Sequence, residues 1–217
     1  MLFGLSEESE IVKDKELIDA FERSEINLLV DLRMRNGFDE KEYEKLVKAL
    51  TDCAETWESR SSIPQEVVHI LVGLYDELYN FSLIYGGEES VRIKKAAETT
   101  KKLIQRCTKE KGEIEPEKAK VIARLIESIN ENGNFFKKLQ NGHGLDEQQF
   151  ERIYRELDDI LNEIYSWEHI PKVLVNIFIE LRELDLFVGQ YQEEFNQHEE
   201  ADKIYDAYER IFSLIVG

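Results

Sequence analysis

Two stretches of this chain read as the same helix. Residues 88–104 are EESVRIKKAAETTKKLI, and residues 199–215 are EEADKIYDAYERIFSLI. Seven of the 17 aligned positions are identical, where chance would give roughly one. Apolar residues recur every three or four positions in both stretches, which predicts amphipathic helices with one buried face. The fold is therefore expected to contain this helix twice, at an offset of 111 residues.

A second repeated signal lies further upstream, at an offset of 107 residues. Residues 37–43 are GFDEKEY and residues 144–150 are GLDEQQF, and Ile-Pro recurs at 63–64 and 170–171. Asp39 and Asp146 are predicted N-caps, because a short carboxylate accepts hydrogen bonds from the first free N–H groups of a helix. Each copy also has an acid or amide at N3 and an apolar pair across the cap: Glu42, Phe38 and Tyr43, then Gln149, Leu145 and Phe150.

These signals predict an all-α fold of eight helices. We interpret it as an internal duplication of two four-helix units packed together, at 1–112 and 113–217, with one continuous helical domain as the alternative. Prolines at 64, 116 and 171 are expected in first turns, and glycines at the helix ends. The predicted helices cover 8–35, 39–57, 64–85, 88–111, 116–140, 146–167, 171–195 and 198–215.

The charge balance narrows the classes of partner. The 217 residues include 46 acidic and 28 basic ones, a net charge of −18. Such a chain repels polyanions, so we expect no nucleic-acid binding. A basic protein partner is favoured by the same charge, although an acidic surface also serves solubility alone.

Composition also bears on location. No stretch in the sequence approaches the roughly 20 apolar residues of a membrane span, and residues 1–5 (MLFGL) lack the basic start of a secretory signal. The two cysteines, Cys53 and Cys107, are too far apart in sequence to suggest a thiolate metal motif. Both fall in helical patterns, and Cys107 lies on an apolar stripe, where we expect it to pack in the core. The plain interpretation is a cytoplasmic protein without membrane contact.

One segment is basic. From Arg92 to Lys111 there are eight basic and two acidic residues. Lys94 and Lys101 lie beside the apolar stripe of this helix. They are interpreted as an anion or acidic-partner site, or alternatively as a solvated face or one that packs on the acidic second unit.

The last helix has more apolar surface than its counterpart. Tyr205 replaces Lys94 and Phe212 replaces Lys101 in the alignment. An apolar face wider than one core needs predicts an interface, whether with the other half, with a second copy as a homodimer, or with a partner. Tyr75 and Tyr79 of the third predicted helix are further partner-binding candidates, since tyrosine is enriched at binding surfaces and also edges ordinary cores.

Catalytic motifs are scarce in the sequence. One Glu-x-x-His turn, Glu66 to His69, lacks the second turn that a di-iron site needs. Acidic pairs occur at Glu180 and Glu183 and at Glu199 and Asp202. Their spacing is similar to that of the magnesium-binding pairs of all-helical nucleotide pyrophosphohydrolases, and carboxylates one turn apart can hold a hard cation. No cofactor is expected otherwise.

Two functional hypotheses follow from these patterns. The first is a non-enzymatic acidic helical protein-binding module, such as an inhibitor or immunity protein for a basic toxin or nuclease. The alternative is a helical-bundle metal-dependent hydrolase that acts on nucleotides through the clustered carboxylates. The absence of a recognisable catalytic set favours the binding module.

Overall fold

Helices account for more than three quarters of the chain in the computed structural model, which describes residues 4–216 and the side chains of residues 13–215. The first half contains α1 (Gly4–Arg33), α2 (Glu40–Trp57), α3 (Val68–Ile84) and α4 (Gly87–Cys107). The second half contains α5 (Pro116–Asn130), α6 (Phe135–Gln140), α7 (Glu147–Ile164), α8 (Lys172–Arg182), α9 (Leu184–Glu193) and α10 (His198–Val216). Short extended segments, β1 (Ser62–Pro64) and β2 (His169–Pro171), precede α3 and α8, with a 3₁₀ turn at Gln65–Val67. The all-α fold class is confirmed.

Two of the eight predicted helices are interrupted. The predicted helix 116–140 is divided at residues 131–134, where Asn132 and Gly133 both have positive φ. The predicted helix 171–195 is divided at Glu183, the single residue between α8 and α9. Pro116 begins α5 as expected, but the first-turn role predicted for Pro64 and Pro171 is wrong because both end extended segments. Of the N-terminal segment considered as a signal, residues 1–3 lie outside the described residues.

The chain divides into two compact units, with the boundary between Gly112 and Glu113. In the first unit, α1 packs on α2 and α3, and α4 packs on α2 and α3. The buried side chains of these helices form one core, with contributions at roughly helical spacing from each helix. Fully buried members include Phe21, Leu28, Leu46, Leu50, Trp57, Leu78, Ile93 and Ala97. Each large apolar side chain stabilises the unit by about 1.5–3 kcal/mol relative to exposure.

A polar contact at the edge of this core joins α1 to the end of α2. The indole Nε1 of Trp57 donates to Oδ1 of Asp14 at 3.3 Å, and Nη1 of Arg60 lies 2.5 Å from Oδ2 of the same carboxylate. Asp14 is buried, so its charge needs these partners. The large Trp57 ring is thereby fixed with its polar atom satisfied.

In the second unit, Gln149 closes the end of a neighbouring helix. Its amide Nε2 points into a ring of four carbonyl oxygens at the C-terminal end of α5 and in the turn after it. Its backbone N–H still donates to the N-cap Asp146 at 3.0 Å. The predicted N-cap of α7 is therefore confirmed, while the N3 side chain caps another helix instead of returning to its own.

Several local contacts occur in both units. Gly37 and Gly144 have φ of +95° and +79°, and a Cβ on either would lie within 3 Å of a carboxylate oxygen. That oxygen belongs to Glu89 in the first unit and to Glu200 in the second, and it accepts from the backbone N–H of the next residue, Phe38 or Leu145. Asp39 accepts from Lys41 and Glu42 as a confirmed N-cap of α2. The internal duplication as a whole stays a prediction.

Candidate functional site

The four candidate residues of the first unit lie together on α3 and α4. Lys101 Nζ is 4.4 Å from the ring centroid of Tyr75, and Lys94 Nζ is 5.7 Å from that of Tyr79. The two rings are 5.9 Å apart. Because α3 and α4 pack side by side, tyrosines one turn apart meet lysines two turns apart. These lysines contact aromatic faces within their own unit, which adds a cation–π attraction.

The candidates of the second unit lie along α10. Tyr205 is 49% exposed and Phe212 is half-buried. Tyr208 lies between them, with ring centroids 6.3 Å from Tyr205 and 5.9 Å from Phe212. Arg182 of α8, which the sequence analysis missed, lies 4.4 Å from the Phe212 ring. The apolar surface predicted for this helix is thus a row of three aromatic rings.

A second cation is held on the other side of α10. Arg210 makes two hydrogen bonds with Glu151 of α7, at 2.5 and 3.1 Å. Its guanidinium carbon lies 4.5 Å from the ring centroid of Tyr154 and 5.0 Å from that of Phe150. These contacts hold the pKa of Glu151 below its usual value and raise that of Arg210. The sequence carries no local signal for this pair, because 59 residues separate its members.

The first unit has an open groove between α2 and α4. It encloses about 530 Å³, and its lining combines an apolar floor with a charged rim. The floor consists of Phe38, Tyr43, Val47, Ala96 and Thr99, and the rim of Glu40, Glu44, Arg92 and Lys95. Tyr43 donates its hydroxyl to the carbonyl of Ala96 at 3.1 Å, and burial raises its pKa. The ring is therefore fixed in the floor of the groove.

Helix α1 carries exposed aliphatic residues on its outer side. Ile26 and Val30, and Met34 just past the helix end, are spaced by four residues and are exposed. Further exposed aliphatic side chains, Leu83, Ile84 and Val91, flank the turn between α3 and α4. Contact with another molecule would remove the apolar surface of α1, or that of the α3–α4 turn, from water.

Glu25, next to the exposed Ile26 of α1, has a raised pKa. Burial, reinforced by the nearby carboxylate of Glu77, raises the pKa of Glu25 to about 7. Arg33 opposes the shift and pairs with Glu77 at 2.6 Å. A raised carboxyl pKa is a feature of functional sites and of crowded acidic surfaces alike. Here burial of the Glu25 carboxyl is the larger cause of the raised pKa, and repulsion from Glu77 adds to it.

The metal candidates are not brought together. Among the described side chains, no group of three His, Cys, Asp or Glu residues could hold a metal ion. Glu180 and Glu183 lie at the end of α8, and Glu199 and Asp202 in the first turns of α10. Glu66 lies in the 3₁₀ turn and His69 at the start of α3. Neither set forms a ligand group in this structure.

Both cysteines are core residues, as predicted for Cys107. Cys53 of α2 and Cys107 of α4 are fully buried. Burial raises the pKa of the Cys53 thiol well above its usual value, and the neighbouring Cys107 adds to the effect. A buried thiol with a raised pKa is a poor nucleophile. Both side chains pack as small apolar groups.

One segment corrects the expectation about membrane spans. Gln65–Ile84 is 20 residues long and is apolar enough to cross a membrane by length and composition. Half of the apolar window is buried inside the structure. A single such helix is weak evidence, because the core helix of a soluble protein passes the same test.

The fold defines an all-α helical bundle. No known protein family, curated protein or solved structure matches the chain.

Proposed function

We propose that this chain is a non-enzymatic binding protein for a basic protein, acting as an inhibitor or immunity protein of a basic toxin or nuclease. The observation that supports it is the excess of acidic over basic residues, a net charge of −18. Several cations are already engaged within their own unit: Lys94 and Lys101 on tyrosine rings, Arg210 on Glu151. The field outside the protein is therefore dominated by carboxylates, which steer a basic partner toward it.

The exposed aromatic and aliphatic side chains supply the second requirement of an interface. Charge accelerates encounter, while buried apolar anchors hold the complex. Tyr205 is the clearest such anchor among the candidates, since it is half-exposed and adjoins Tyr208. Phe212 belongs to the same proposed contact surface of the second unit. Tyr75, Tyr79, Lys94 and Lys101 form a separate proposed contact surface on the first unit. The metal-dependent alternative has no ligand group among the described residues, so nothing in the geometry favours it.

The proposal is tested by capture on the immobilised full chain, followed by kinetics with the purified captured protein. We expect one reproducible basic protein, released by salt. Its association rate should fall at least about tenfold between low and physiological ionic strength. A salt-independent association rate, or no reproducible partner, would contradict the proposal.

A single substitution examines the anchor. Tyr205→Asp should weaken binding of that partner by about tenfold or more, since it places a charge in an apolar contact. Tyr165→Asp is the matched control, because Tyr165 is also an exposed tyrosine of the second unit, at 77%. Far-ultraviolet circular dichroism should show unchanged helicity in both variants. Sedimentation of the chain alone separates a partner interface from a homodimer through α10.

A further inference from the structure

The fixed cation of the second unit has no counterpart in the first. Under the offsets of 107 and 111 residues, each member of the Arg210 cluster has an aligned position. Tyr43 aligns with Phe150, Glu44 with Glu151, Val47 with Tyr154 and Thr99 with Arg210. Both units thus have an aromatic ring (Tyr43 or Phe150) followed by a glutamate. In the first unit, however, Thr99 occupies the position of the cation.

The consequence is the groove between α2 and α4. Thr99 and Val47 both line it, and both are much smaller than the Arg and Tyr at the aligned positions. The space of about 530 Å³ is lined by residues that align with the members of the Arg210 cluster. Within the described part of the chain, no cation lies over the Tyr43 ring and no ion pair involves Glu44. The first unit thus has the aromatic ring and the carboxylate of the cluster but lacks its cation.

We propose that the α2–α4 groove binds an arginine side chain of the partner. The inference rests on the proposed function, which it deepens by naming the group that is recognised. The guanidinium would lie over Tyr43 and pair with Glu44, as Arg210 lies over Phe150 and pairs with Glu151. The apolar wall of Phe38 and the small Ala96 leave room for the methylene stem.

Arginine fits this groove better than lysine for two reasons. Its planar guanidinium can offer two parallel N–H donors to one carboxylate, as Arg210 does with 2.5 and 3.1 Å contacts. It also stacks on an aromatic face while keeping its hydrogen bonds. A lysine ammonium would meet the same charge but would lose the bidentate geometry.

Two cations on the rim of the groove, Arg92 and Lys95, affect how strongly it can bind a further cation. Arg92 lies 3.7 Å from Glu40 and 4.0 Å from Glu89, so its charge is largely balanced. Lys95 is exposed on the same rim and repels an incoming cation. The aligned residue in the second unit is Asp206. Removing the charge of Lys95 should therefore strengthen binding of arginine.

The test uses the full chain and a short, blocked arginine–glycine peptide, with the lysine–glycine peptide of equal length as the comparison. Calorimetric titration should show the arginine peptide binding at least about fivefold tighter. Glu44→Gln should weaken the arginine peptide by about fivefold or more. Glu151→Gln is the matched control, because Glu151 is already occupied by Arg210, and it should leave peptide affinity unchanged.

Filling the groove from within is the decisive variant. Thr99→Arg supplies the cation that the second unit has, so it should abolish binding of the peptide without lowering thermal stability. Lys95→Ala should raise peptide affinity about twofold or more, a gain that misfolding cannot produce. Equal affinity for the two peptides, or full affinity in Thr99→Arg, would overturn the inference.

The same variants separate this inference from the proposed function. If the captured partner binds Thr99→Arg as well as it binds the original chain, the partner uses another surface and only the groove assignment fails. If no basic partner is captured but the peptide binds through Tyr43 and Glu44, the groove assignment stands and the partner assignment fails.

Discussion

Lys101 places its ammonium nitrogen 4.4 Å from the ring centroid of Tyr75, between α4 and α3. At the aligned positions of the second unit the ring is Phe212 of α10 and the cation is Arg182 of α8, again at 4.4 Å. Both residues have changed sides while the contact has the same chemistry. A cation–π pair therefore forms whichever of the two packed helices carries the cation and whichever carries the ring.

This reversal predicts the outcome of a swap. Lys101→Phe and Tyr75→Arg should each destabilise the chain, since one loses the cation and the other places two cations together. The double variant should recover about 0.5–1 kcal/mol of coupling. A double-mutant cycle in urea measures it, and additive single effects would show that the contact contributes nothing.

Glu25 predicts a pH-dependent stability. Its pKa of about 7 lies above the ordinary value of 4.5, so the folded state binds more protons than the unfolded state between those values. The free energy of unfolding therefore falls as pH rises from 4.5 to 7. Glu25→Gln should flatten that slope and gain about 1 kcal/mol at pH 8, a value reduced for solvent screening of a half-buried group.

Urea unfolding at acidic and alkaline pH measures this effect. Glu16→Gln, at an exposed position of the same helix, is the control and should keep the original slope. An unchanged slope in Glu25→Gln would show that another carboxyl is responsible.

The buried carboxylate of Asp14 should be essential to the first unit. Asp14→Ala removes the partner of both Trp57 and Arg60, and we expect a loss of about 2–3 kcal/mol. The comparison variant is Asp52→Ala, which breaks the exposed pair with Lys48 and should cost less than about 1 kcal/mol. Tryptophan fluorescence during urea unfolding reports both, and equal losses would refute the role of Asp14.

Substitution of Gln149 should lower stability more than substitution of Gln148. Gln149→Ala removes the two N–H donors that the buried carbonyls of Ser128 and Ile129 share with the turn after α5. We expect a loss of about 2 kcal/mol and a Tm lowered by roughly 4–8 °C. Gln148→Ala changes an exposed side chain one position earlier and should leave Tm nearly unchanged. Calorimetry distinguishes the two, and similar Tm values would contradict the capping role.

Local signals in the sequence predicted most of the helices. Asp39 and Asp146 were identifiable as N-caps because their hydrogen bonds lie within three residues. The break at Asn132-Gly133 had a signal too, since Asn-Gly favours positive φ, but the apolar periodicity continues across it. The break at Glu183 had none, since no glycine or proline lies there, although its ψ of 3° departs from helical values.

Long-range contacts explain what the sequence analysis missed at the candidate site. Tyr75, Tyr79, Lys94 and Lys101 were selected for residue type and helix face, and the structure brings them together through the packing of α3 on α4. Arg210 and Glu151 were overlooked because only the approach of α7 and α10 makes them neighbours. Charge and periodicity in the sequence indicate which face of a helix is buried. Which helix faces pack against each other depends on the tertiary structure.

The carboxylates of Glu89 and Glu200 have a consequence for finding relatives of this chain. Each accepts from a backbone N–H 51 or 55 residues earlier, directly after a glycine that leaves room for it. Such a bond constrains the glycine and the acid but leaves the intervening side chain open, as Phe38 and Leu145 illustrate. Distant descendants of either unit should therefore keep Gly-x-Asp and a Glu about fifty residues later after overall identity has faded, which gives a fingerprint for searching genomes.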